Sequence, residues 1–299
     1  MLSSVTFTSP VSGSSALTLH DTSNRKLSKA DGLFGPPAPR DNNRIAPTRD
    51  GSIDQTQWLS ERTIILEGEL WNTTQASVLA DFQTLSAAFS DTMLAAGTLK
   101  FTRPDSTEYQ CAVKISDAVQ VSLEGGSTTL AYQVTFRAQD PRVYSTTLNS
   151  LTLATTPVTG PVSTIYTIGA TTVANIVNAG QVATPIIITL TPPSGGSLSS
   201  GTLVQVNTAS AYTSLAPAGS AQILVLGTGI TAATSVVYDT GSRTRTPSDS
   251  VVSNGALTST TEWPLLYPGT NTVTWTAKST ATMASNKPSC VITWRDAWL

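Results

Sequence analysis

Over most of this chain apolar residues recur at every second position, a period that fits β-strands and does not fit helices. Thr272-Val273-Thr274-Trp275-Thr276 shows it, as do Val5 and Phe7 set against Thr6 and Thr8. Arg62-Thr63-Ile64-Ile65-Leu66-Glu67-Gly68-Glu69-Leu70-Trp71 reads the same way, with Ile64, Leu66 and Leu70 on one side. One stretch breaks the rule. From Gln75 to Ala96, Val78, Phe82, Leu85 and Phe89 fall at i, i+4, i+7 and i+11, a single helical face. Asn72, Thr73 or Thr74 can cap its start, and Gly97 is expected to end it in a left-handed conformation. Three strands should follow, Thr98 to Arg103, Tyr109 to Ser116 and Leu130 to Ala138, parted by turns at Pro104-Asp105 and Gly125-Gly126. Further on, residues 182–190, 201–206, 221–226 and 235–239 and two Trp-bearing strands recur between turn clusters, the pattern of a β-sandwich. The predicted fold is mainly β, with one packed helix in the first half and a sandwich in the second.

Charge places the boundary between the halves. Residues 1–149 hold 12 Lys and Arg against 15 Asp and Glu, whereas residues 150–299 hold 5 against 4. A mixed-charge region of net minus three thus gives way to a nearly uncharged, Ser/Thr-rich region of net plus one. Such a break marks a domain boundary, placed at residues 145–160 where Pro141, Pro157, Gly160 and Pro161 punctuate the run. The expected domains are 1–150 and 151–299, each long enough to bury its own core. Only 12% of the chain is charged, about half the usual soluble share of roughly 25%. With a net charge of minus two there is no basic excess to neutralise phosphate, so sequence-specific nucleic-acid binding is not expected. No apolar run approaches the roughly 20 residues of a membrane span, and Met1-Leu2-Ser3-Ser4-Val5 does not read as a signal peptide.

Residues 20–57 fit neither period. Gly32, Gly35, Pro36, Pro37, Pro39, Pro47 and Gly51 stand among many charges there, which a sheet interior does not tolerate. The segment reads as a surface loop, or as an extended arm that packs on a neighbouring subunit through Leu33, Phe34 and Ile45.

The chain carries little that could do chemistry. His20 is its one histidine, placed in a turn-rich segment and expected to be a solvated side chain. Cys111 and Cys290 lie far apart and read as two free, buried thiols. Neither zinc spacing, nucleophile elbow, phosphate loop nor dinucleotide fingerprint is present, so no catalytic residue, metal site or cofactor is assigned. A glycosidase would need two carboxyls across a cleft, and in the second half only Asp239 with Glu262 is a conceivable pair. Trp263 and Trp298 could face a sugar, while Trp275 and Trp294 lie inside alternating strands and read as core.

Three motifs remain. Trp263-Pro264-Leu265-Leu266-Tyr267-Pro268-Gly269-Thr270-Asn271 is a turn feeding a strand, with Asn271 a residue that tolerates left-handed backbone. Trp294-Arg295-Asp296-Ala297-Trp298 follows the last long strand, and Phe136, Ala138, Asp140, Pro141 and Tyr144 form an "F.A.DP..Y" ending to the first half. In this order and spacing they resemble the distal tail proteins of siphophages, ring-forming adaptors between tail tube and tail tip. Asn178-Ala179-Gly180 with the "TPIIITLTP" strand, and the Tyr238 to Thr244 hairpin, resemble the galectin-like sandwich of that family.

The resemblance implies an N-terminal domain that forms a hexameric ring and a C-terminal galectin-like sandwich. It implies a structural virion protein at the distal end of a long non-contractile phage tail, assembled in the host cytoplasm. The tail tube protein would lie above, tail-tip, tape-measure or baseplate proteins below, and DNA would pass through the bore without being read. The alternative is a carbohydrate-binding module or adhesin that recognises host cell-wall glycan.

Overall fold

The computed structural model describes residues 2–21, 24–40, 44–45, 52–53, 58–103, 105–123, 128–154, 170–193, 195–208, 222–249, 251, 255–259, 261–277 and 288–299. They fall into two compact units, one up to Thr146 and the other from Thr147 to Trp298.

The first unit contains β1 (Ser4–Thr8), β2 (Leu17–His20), β3 (Arg25–Asp31), β4 (Pro39–Arg40), β5 (Arg44–Ile45), β6 (Ser52–Ile53), β7 (Trp58–Leu59), β8 (Arg62–Trp71), α1 (Gln75–Ser90), β9 (Gly97–Thr102), β10 (Glu108–Ile115), β11 (Gln120–Leu123), β12 (Thr129–Ala138) and β13 (Val143–Ser145). Its strands run β2-β1-β9-β10-β12-β8-β3, with β11 added on β12. Strand β10 turns the corner: Glu108–Val113 pairs with β9, and Lys114 and Ile115 then pair with β12. The long β8–β12 ladder sets Ile64 opposite Phe136, Leu66 opposite Val134 and Leu70 opposite Leu130, all fully buried. Gly68 faces Tyr132 in the same ladder, and the Tyr132 ring fills the space where a Cβ on Gly68 would lie, 2.9 Å away.

Helix α1 starts at Thr74, whose side chain accepts from the Ser77 N–H, and its buried residues are Val78, Leu85 and Phe89. Phe89 meets the Phe7 and Phe136 rings edge-on, each at 5.3 Å, and Phe7 stacks on Phe136 at 5.6 Å. Burying a side chain such as Phe89 contributes about 1.5–3 kcal/mol, and aromatic edge contacts add to it. Two expectations need correction. Phe82, predicted on the buried face, is only half-buried. Gly97 does not end the helix in a left-handed turn; a short 3-10 turn, Asp91–Met93, intervenes and Gly97 opens β9. Glycine is required there for another reason, since a Cβ would lie 2.7 Å from the Phe7 ring.

The segment predicted as loop or arm is partly sheet. Arg25–Asp31 forms the edge strand β3, paired along β8 with an irregularity between Leu27 and Lys29. An edge position suits it, because only one side of its backbone needs ladder partners. His20 is not a free loop side chain: it lies in β2, and its Nδ1 accepts the Leu27 N–H at 3.1 Å. Leu33 is fully buried in its own unit and so is not held in reserve for a neighbour, whereas Phe34 packs edge-on against Phe101 with 47% of its surface still exposed. Beyond them the chain leaves the sheet. Strand β4 pairs with β7 and, between them in the chain, β5 pairs with β6, two separate two-stranded ladders that make up a ribbon. The side chain of Ile45 lies outside the described residues.

The second unit contains β14 (Asn149–Ala154), β15 (Ala170–Asn178), β16 (Thr184–Thr191), β17 (Leu203–Thr208), β18 (Gln222–Val225), β19 (Val236–Asp239), β20 (Thr244–Pro247), β21 (Leu265–Leu266), β22 (Gly269–Ala277), β23 (Ser289–Trp294) and β24 (Ala297–Trp298). One sheet runs β14-β23-β16-β19-β20 with β21 on β16, the other β15-β22-β17-β18. Their inward positions make one core that includes Ile186, Ile188, Leu190, Val204, Tyr238, Trp275, Cys290 and Ile292. Trp275 is fully buried, as its place in an alternating strand predicts, while Trp294 is half-buried and packs against the core edge. The mainly β fold with a single helix agrees with the sequence.

Candidate functional site

In the first unit the "F.A.DP..Y" ending meets two arginines, Arg142 through Asp140 and the buried Arg62 through the Pro141 carbonyl. Phe136 and Ala138 point into the core from β12. Asp140, two residues past Ala138, accepts the Arg142 N–H at 3.1 Å, the Arg142 guanidinium at 3.3 Å and the Tyr144 hydroxyl in a short bond. Burial raises the Tyr144 pKa, and the adjacent Asp140 charge raises it further, so the phenol stays protonated as a donor. Burial works against the Arg142 charge, and Asp140 and Tyr144 more than offset it, leaving its pKa above the ordinary value. Pro141 has a different partner: its carbonyl accepts Arg62 Nε at 2.8 Å. Arg62 is 2% exposed, and its Nη1 also donates to the carbonyls of Gly32 at 2.7 Å and Gly35 at 3.0 Å. Nothing in the sequence points to this role, because Arg62 opens a strand and its partners lie 30 and 79 residues away.

In the second unit three motifs far apart in the chain meet through side-chain amides and carboxylates. Asn178 Nδ2 donates to the carbonyls of Val182 at 2.9 Å and Leu266 at 3.0 Å, and its Oδ1 accepts the Gly180 N–H at 2.9 Å. Asp296 accepts the Ala179 N–H at 3.0 Å and Asn149 Nδ2 at 3.3 Å. Gly180 lies against the Ala297 backbone so closely that a Cβ would come within 2.1 Å of the Ala297 carbonyl oxygen. Thr184 donates to the Arg295 carbonyl at 2.6 Å, and Trp294 Nε1 to the Val177 carbonyl at 3.2 Å. Asn271 departs from expectation. Gly269, at φ +87°, takes the left-handed position, while fully buried Asn271 accepts the Tyr267 N–H at 3.1 Å and donates to the Tyr267 carbonyl at 2.7 Å. Pro264 and Pro268 are buried in the same turn.

The candidate sugar-facing residues are placed differently from one another. Trp263 is half-buried with its ring on the core, and Trp298 is half-buried on β24. Asp239 accepts the N–H groups of Gly241 and Ser242, an ordinary turn role, and Glu262 is exposed. Among the described residues no three His, Cys, Asp or Glu side chains converge. A shallow, open depression of about 310 Å³ lies on the face of β8 and β12, bordered by Glu67, Glu69, Gln120 and Gln133. Cys111 and Cys290 are free and buried.

No family model and no curated protein matches the sequence. Solved structures do match the fold. The chain is similar to the SPP1 Dit protein, described as a hub of the adsorption apparatus in phages that infect Gram-positive hosts. Identity is 15% with a TM-score of 0.61, over 99% of each chain. A chain of the phage P2 baseplate in its calcium-activated conformation is similar at 9% identity and a TM-score of 0.50, over 94% of this chain and 99% of that one. The order of elements along the whole length is therefore a Dit-like fold.

Proposed function

We propose that this chain is a distal tail protein of a siphophage: a structural adaptor between tail tube and tail tip or baseplate, with no catalytic role. What carries the reading is agreement from end to end. The SPP1 Dit likeness spans 99% of both chains, and the motifs first noted in the sequence lie at hydrogen-bonded corners of that fold. Six copies would form a ring through the first unit, with the second, galectin-like unit outside the ring contacts. The bore would let DNA pass, and a first half of net minus three gives it no reason to grip phosphate. The β4–β7 and β5–β6 ribbon supports a ring, since a two-stranded ribbon is marginal alone and gains stability by lying on a neighbour. A head-to-tail contact of that kind closes a ring when the rotation between copies closes.

Trp263 packed on its own core favours this structural reading over glycan stacking. Electron microscopy of the purified full-length protein, with native mass measurement, tests the proposal. Six-fold rings are expected. A monomer retained on host cell walls would replace this reading with the glycan-binding one.

A further inference from the structure

We infer that Arg62 is a latch that fixes where the ribbon leaves the first unit. The chain enters the ribbon through Gly32-Leu33-Phe34-Gly35 and returns from it through Ser60 to Arg62, so whatever holds that loop sets the ribbon's root. Both glycine carbonyls point at Arg62 Nη1, at 2.7 and 3.0 Å. They can do so because both glycines adopt left-handed backbone, φ +80° at Gly32 and φ +82° at Gly35. At Gly32 no other residue fits, since a Cβ would lie 2.0 Å from the Thr63 carbonyl oxygen. Between the glycines, Leu33 is fully buried and Phe34 sits under the Arg103 guanidinium, 5.1 Å from its ring centroid. The root closes where the Ser60 N–H donates to the Ala38 carbonyl at 3.0 Å.

Arg62 is an unusual residue to bury for stability alone. Its partners are three neutral carbonyls, and among the described residues no carboxylate lies within ion-pair distance and Nη2 has no hydrogen-bond partner. Desolvating a cation this way is costly, and an apolar side chain of similar size would often serve stability as well. What an apolar residue cannot do is tie three separate backbone segments in one geometry. The planar fork spans Gly32, Gly35 and Pro141 together, and the compact ammonium of lysine cannot reproduce it. The latch therefore acts through geometry: it joins the ribbon's root to the Asp140-Pro141 corner of the domain.

Limited proteolysis of the full-length protein, read by mass spectrometry, tests this with Arg62→Lys and Arg62→Met. Cleavage between residues 36 and 60 should accelerate at least tenfold in both variants, with protection elsewhere in the first unit unchanged. Unchanged protection of residues 36–60 overturns the latch. Equal loss of protection throughout the first unit in both variants also overturns it, because Arg62 would then be a general stabiliser. Ring formation by the same variants separates the latch from the proposed function on which the ribbon's purpose rests. Loosened ribbons with intact rings would leave the latch standing and remove the ribbon from ring closure.

Discussion

The two units solve the same problem, a β-rich fold with one buried core, by different means. The first ties its surface with charge: Lys29 pairs with Asp31 at 3.0 Å and Glu67 at 3.2 Å, and Arg137 with Glu61 at 3.5 Å. These pairs are exposed and contribute little singly. The second has only five basic and four acidic residues over its half of the chain, and its corners are held by buried or half-buried Asn178, Thr184, Asn271 and Asp296 bonded to backbone. Hydrogen bonds of that kind are insensitive to salt and stabilise by placing chain segments. The difference teaches that low charge here is compensated by backbone-directed polar side chains, so the second unit should be rigid at its corners and the first adaptable at its surface.

The sharpest way to break this comparison is through the cores. Trp275→Ala removes the largest fully buried side chain and should cost the second unit about 3–5 kcal/mol. Calorimetry should show one transition shifted and the other in place. If both shift together, the units do not melt independently and the contrast loses its meaning.

In the first unit the comparable test contrasts two phenylalanines on one helix. Phe89→Ala should cost about 3–5 kcal/mol, since its ring touches Phe7 and Phe136. Phe82→Ala should cost clearly less, because Phe82 is half-buried. Equal losses in urea denaturation would show that Phe82 is covered by something outside the chain.

This pair also marks how far the sequence could be read. The sequence pattern places β8, β9, β10 and β12 within one residue at either end, because their inward positions alternate with outward ones, whereas β16 starts two residues later than expected and β22 begins three residues before Thr272. Strand β15 was missed since its outward Val173 and Val177 are themselves apolar, 59% and 54% exposed, which blurs the alternation. Strand β11 was missed because it contributes no side chain to the core. The helical period correctly found Val78, Leu85 and Phe89, but it could not say how wide a stripe the sheet would cover. The motif residues were legible as turn and strand signals. Their bonds were not, because Arg62 to Pro141 and Asn178 to Leu266 join positions 79 and 88 residues apart.

A smaller effect tests the corner of the second unit. Gly180→Ala places a methyl group within 2.1 Å of the Ala297 carbonyl oxygen, which forces the backbone apart and should cost about 1–3 kcal/mol. The second transition alone should fall in a thermal melt. No change would mean that the corner is loose, and rigidity would no longer distinguish the two units.

The mildest probe uses one buried thiol in each unit. Burial pushes the Cys111 thiol from its ordinary 9.0 up to about 12, with the Arg62 charge opposing the rise, and burial alone raises the Cys290 thiol still further. The native state therefore keeps both protons when the unfolded chain would release them. For Cys111 that contribution is fully present below about pH 9 and is lost progressively as pH rises from about 9 towards about 12. At pH 8 neither thiolate is populated in the native protein, and alkylation waits on opening of the surrounding unit. Labelling rates should then report each unit separately: Trp275→Ala should speed labelling of Cys290 and leave Cys111 unchanged, and Phe89→Ala should do the reverse. Mass spectrometry of the two cysteine-bearing peptides decides it, and a Cys111 thiol that reacts quickly in the unaltered protein would show the first unit opening without any loss of its core.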